Sequence, residues 1–88
     1  LADSKRGTCV EDGSLVMGNL MNAAFSLGVD SCWIHRARET FETQEGKALL
    51  KKWGLSEDYI GVGNCILGYS AQPHPQAKPR KDGYVIRV

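Results

Sequence analysis

The sequence has few cysteines and no two of them at C-x-x-C spacing. Cys9, Cys32 and Cys65 are an odd number, which argues against a disulfide framework and for a reducing, cytoplasmic setting. Only His35 and His74 add to them as nitrogen ligands, too few and too widely spaced for structural zinc, so no metal is expected. A large net charge is also lacking. Eleven basic residues against ten acidic give +1, so the whole-chain field favours neither nucleic acid nor an anionic membrane. No signal peptide is visible. The longest charge-free run is interrupted by Asn19 and Asn22 and is too short for a bilayer core of ~30 Å. There is no internal repeat, no catalytic triad and no paired-carboxylate signature, and the cysteines have no placed base. Catalytic residues are therefore unassigned, and any chemistry is expected to be carried by a cofactor.

What is present is organised around one helix. Between Asp12 and Asp30 no residue is charged. Leu15, Val16, Leu20, Ala23, Ala24 and Leu27 recur at helical steps, and Met17, Met21 and Phe25 add a neighbouring apolar face. Asp12 can cap the start and Gly28 can supply the left-handed turn at the end. A helix apolar nearly all round is normally buried. Yet 88 residues make one small domain that buries roughly 60–65% of its unfolded surface. Something beyond this chain is expected to cover the helix.

The other elements follow in order. Leu1-Ala2 reads as the end of a strand, and Lys5, Arg6 and Gly7 as a turn. Val29–Ile34 is β-rich, and helix–glycine–strand succession belongs to layered α/β or α+β units. A turn of helix is expected within His35–Glu42. Thr43 then caps a second, amphipathic helix that carries Lys51 and Lys52 in its last turn and ends at Gly54. Tyr59–Tyr69 reads as one strand, apolar on both faces towards its end. Pro73, Pro75 and Pro79 make Ala71–Arg80 an extended connector. Asp82-Gly83 turns into a last strand, Tyr84–Val88.

Three constellations invite functional readings. Gly61-Val62-Gly63 lacks the third glycine and the following helix of a dinucleotide site, so a bulge or close backbone approach is the better account. Trp33-Ile34-His35-Arg36 lies at a strand end, where sites are commonly built; the alternative is a core tryptophan beside a solvated His-Arg pair. Lys78 and Arg80 project to one side of an extended segment. Such a pair suits a phosphate, or is simply a solvated basic loop.

Taken together, EDGSLVMGNLMNAAFSLGVDSCWIHRARETF, EGKALLKKWGL, YIGVGNCILGY and KPRKDGYVIRV resemble the C-terminal half of the flavin-dependent nitroreductase family. The resemblance implies an α+β fold, a three-layer α/β/α arrangement with a mixed sheet. Residues 1–88 would be the C-terminal portion of that single domain. It implies a homodimer with FMN at the subunit interface and electrons passing from NAD(P)H through the flavin to a small-molecule acceptor, a nitroaromatic, quinone or relative. Lys78 and Arg80 match the basic pair at the FMN phosphate. Trp33, Ile34, His35 and Arg36 match the segment whose backbone passes the flavin ring. Some relatives carry a glutamate and then a glycine where this chain has His35 and Arg36. The family's N-terminal half, with further phosphate and ring contacts, is not in this chain, and its partners would be that half and a second subunit. The alternative is a truncated, non-catalytic scaffold or interaction module without flavin.

Overall fold

A computed structural model describes all residues, Leu1–Val88. The elements are β1 (Ala2–Asp3), α1 (Cys9–Ser26), β2 (Asp30–Ile34), α2 (Ala37–Glu42), α3 (Gln44–Lys52), β3 (Tyr59–Ile60) and β4 (Asn64–Gly68). β1 pairs with β3 and β2 with β4, both antiparallel. The second ladder aligns Asp30 with Gly68 and Ile34 with Asn64. The class is α+β, as the sequence predicted.

The helix ends follow from local chemistry. Gly28 at φ +71° ends α1: its N–H donates to Phe25 and that of Val29 to Ala24. Gly54 repeats the geometry after α3, with Gly54 bonded to Lys51 and Leu55 to Leu50. These paired bonds satisfy last-turn carbonyls that the helix leaves open. Thr43 caps α3 by accepting from the Gly46 N–H at 3.0 Å. α1 starts earlier than Asp12: Thr8 stands at its cap without a side-chain cap bond. Thr8 Oγ1 instead donates to Asp12 Oδ2 at 2.9 Å, leaving Glu11 and Asp12 in the first turn, where negative charge suits the helix dipole.

Packing within the chain covers one side of α1. The covered side carries Met17 and Ala24, both buried, with Gly13, Ser14, Gly18 and Met21 half-buried around them. It is not the Leu15–Val16–Leu20–Leu27 side, which is exposed. Small residues decide this. A Cβ on Gly13 would stand 2.6 Å from a Val62 methyl, so the glycine permits a close approach that a leucine would block. α1 touches β1, β2 and β4 across that side, while Leu15 remains 69% and Phe25 73% exposed.

Two strand expectations also change. Tyr59–Tyr69 is not continuous: β3 and β4 are separated by Gly61–Gly63. A Cβ on Gly61 would collide with the Ala37 carbonyl, and one on Gly63 would stand 2.7 Å from the Trp33 ring. The glycines are places of close backbone approach, as expected from their position. Tyr84–Val88 forms no strand and pairs with nothing in this chain. Its sequence favours a strand, but a strand also requires pairing with a partner edge, and it pairs with neither ladder.

Buried apolar residues are few: Met17, Ala24, Ala37 and Leu50. The accessible surface is 7747 Å², about half again the ~5,100 Å² of a folded monomer of this mass. The radius of gyration is 16.8 Å against about 12 Å for a compact chain of this length. No helix is long and apolar enough to cross a membrane.

Candidate functional site

The site is built where β2 ends and α2 begins. Gly28 stops α1 and delivers the chain into β2, whose pairing with β4 sets Trp33 opposite Cys65 and Ile34 opposite Asn64. Trp33 is half-buried, with its ring edge against Gly63. His35 is exposed and links the strand to Arg36. Arg36 has φ +72° and ψ +17°, and is the one non-glycine residue with positive φ. That conformation costs a residue with a Cβ roughly 1 kcal/mol. It is also the conformation a glycine adopts freely. Here the turn carries a guanidinium side chain instead.

α2 then runs beneath the β3–β4 connection. Ala37 is buried with its carbonyl against Gly61, so the strand end, the helix start and the Gly61–Gly63 segment are locked together. Arg36 Nε lies 3.7 Å from Glu39 Oε1, and Arg38 Nε lies 3.2 Å from Glu42 Oε1. His35, Arg36 and Arg38 line a cavity of about 240 Å³ with Val10, Ile60 and Val62. Arg38 and the two glycines were not singled out as site residues by sequence reasoning. Only the G-x-G spacing, read as close approach, pointed towards them.

Lys78 and Arg80 are placed differently. The connector leaves from the Asp30–Gly68 end of the ladder, the opposite end from His35 and Arg36. Asp30 anchors it there: Oδ2 accepts the Ser70 N–H at 2.8 Å and Oδ1 lies 3.0 Å from His74 Nε2. Beyond His74 the chain has no helix or strand, and Lys78 and Arg80 are exposed. Trp33–Arg36 thus form one local unit, and the structure does not bring the basic pair into it within a single chain. The anchor at Asp30 had no sequence signal, because its partners are 40 and 44 residues away.

The cysteines stand apart. Cys9 and Cys65 are half-buried, Cys32 is exposed, and all are free thiols. Cys32 Sγ and Cys65 Sγ each lie nearest to a neighbouring backbone carbonyl, at 3.7 and 3.9 Å. No three His, Cys, Asp or Glu side chains converge as a metal site. The two displaced titrations belong to a surface clasp rather than the site. Lys5 Nζ lies 2.6 Å from Asp58 Oδ2. This hydrogen bond holds the Asp58 carboxyl below its usual range, helped by Ser56, and holds the Lys5 ammonium above its own.

No family model matches the chain, and neither does any curated relative. Among solved structures it is similar to a crystal structure of a nitroreductase with bound FMN from Bacteroides fragilis NCTC 9343. The TM-score is 0.81 and the identity 31%, over 98% of this chain and 46% of that one. The chain therefore spans about half the length of that protein. The match, over nearly the whole of this chain and about half of that nitroreductase, is consistent with a C-terminal half.

Proposed function

We propose that this chain forms the C-terminal half of an FMN-dependent oxidoreductase that takes electrons from NAD(P)H and passes them to a small organic acceptor such as a nitroaromatic or quinone. The observation that carries the reading is the similarity of nearly the whole chain to a nitroreductase with bound FMN. Bound FMN would supply the redox chemistry.

The residues present fit a flavin in two respects. Arg36 turns the chain sharply through a left-handed conformation in the segment whose backbone would pass the flavin ring. Lys78 and Arg80 form no ion pair or side-chain hydrogen bond in this chain, so both cations are free to take the phosphate. Arginine offers it a two-pronged contact and lysine a point charge. Because the connector leaves from the far end of the ladder, a second subunit is the natural source of one of the two halves of the site. Homodimerisation belongs to the same proposal, as does an N-terminal half covering α1.

Titration with FMN and with phosphate-free riboflavin tests the assignment. Arg80→Ala should weaken FMN binding by about 1.5–3 kcal/mol and leave riboflavin unchanged. Equal losses for the two flavins would remove the phosphate role. The second reading, a flavin-free scaffold, draws on the small buried core and the half-length match; it requires that neither flavin binds.

A further inference from the structure

The cavity at the β2–α2 junction has a chemistry of its own. Its lining joins the branched aliphatic side chains of Val10, Ile60 and Val62 with His35, Arg36 and Arg38. Its single acid, Glu39, is committed to Arg36 at 3.7 Å. Arg38 also meets its acid, Glu42, through Nε. A guanidinium has five N–H donors in a planar fork, so pairing at Nε leaves the terminal nitrogens with donors to spare. The two guanidiniums are thus matched by two carboxylates, and what the cavity offers an anion is their unused terminal N–H donors beside the His35 imidazole. At about 240 Å³ it is smaller than the roughly 300–1,000 Å³ of drug-sized sites.

The left-handed conformation of Arg36 adds to this. It occurs immediately before α2 and gives the chain its sharp change of direction between His35 and Ala37. The turn sets the first turn of α2, with Arg38, over Ile60 and Val62. A residue that costs backbone energy where a glycine would not places a cationic side chain at the cavity wall.

We infer that this cavity binds a small carboxylate with a compact aliphatic body. The carboxylate is held by the guanidinium groups of Arg36 and Arg38 beside His35, and the body lies against Val10, Ile60 and Val62. Charge-assisted bonds to a planar two-oxygen anion select it over a neutral amide of the same shape. The inference concerns binding by this chain and does not depend on flavin.

Backbone amide shifts of the isotope-labelled 88-residue chain provide the test, with cyclohexanecarboxylate and neutral cyclohexanecarboxamide as probes. The carboxylate should move the amides of His35–Glu39 and Ile60–Val62, and should bind about ten-fold more tightly than the carboxamide. Arg38→Gln should erase that preference while the amides of α1 and α3 stay in place. Equal binding of the two probes overturns the inference, as do carboxylate shifts confined to other residues or none at all. A spectrum without dispersion overturns it too, since the chain would then have no such cavity. Carboxylate binding without FMN binding keeps this site and removes the flavin reading; the opposite pair of results does the reverse.

Discussion

α1 and α3 are both apolar enough to need burial, but they meet that need differently. α3 is amphipathic: Leu50 is 1% exposed, Gly46 is buried against the backbone of α2, and Lys47, Lys51 and Lys52 face outwards. Its cap, its glycine stop and its partner α2 all lie within eighteen residues. α1 is apolar on two sides and finds cover for one. Its glycine-bearing side packs on β1 and the β2–β4 ladder, while Leu15, Val16, Leu20, Phe25 and Leu27 remain in solvent. Large apolar side chains left in solvent along one helix mark a surface that further protein commonly covers. The α2–α3 unit is closed in itself, whereas α1 is the surface on which further protein is required.

The sharpest way to break this contrast is to truncate one leucine in each helix. Leu50→Ala should cost about 2–5 kcal/mol, because it opens a cavity in the packed unit. Leu15→Ala should cost under about 0.5 kcal/mol in the isolated chain, because nothing covers that side. Urea unfolding of the two variants measures the difference, and equal losses would mean that α1 is as well buried as α3. A smaller effect comes from Gly61→Ala. The added methyl collides with the Ala37 carbonyl, and relieving it should cost about 1–3 kcal/mol. Amide shifts should then change at Trp33–Arg38 more than along α1.

The smallest effect is the pH response of the Lys5–Asp58 clasp, which ties the chain after β1 to the start of β3. The depressed Asp58 pKa means its contribution is present above the ordinary carboxylate range and fades as pH falls through the folded value. The raised Lys5 pKa means the converse: full contribution below the ordinary lysine range, lost as pH rises through the folded value. The clasp therefore helps across the neutral window and at neither extreme. Asp58→Asn should flatten that part of the profile, and an unchanged acid limb would show that other carboxylates set it.

The same contrast explains what the sequence disclosed. Thr43, Gly28 and Gly54 were legible because a cap or a left-handed stop depends on neighbours three or four residues away. The α+β class followed from the element order, and the Gly61–Gly63 spacing disclosed close approach. The side of α1 that packs within the chain was not legible, because it depends on Gly13, whose importance lies in Val62 across the fold. Tyr84–Val88 has strand composition without a strand partner. In the site, Trp33–Arg36 could be found as one contiguous segment. Arg38 and Asp30 could not, since cavity walls and long-range anchors depend on tertiary placement.

Sedimentation of residues 1–88 over a range of concentrations tests most directly whether α1 is a surface awaiting cover. The expected result is a concentration-dependent species heavier than the 9.7 kDa chain, reduced to monomer by Leu20→Asp, because a charge on that face resists desolvation. A compact monomer at the highest concentration, unaffected by Leu20→Asp, would contradict the account and show that the chain tolerates α1 as it stands.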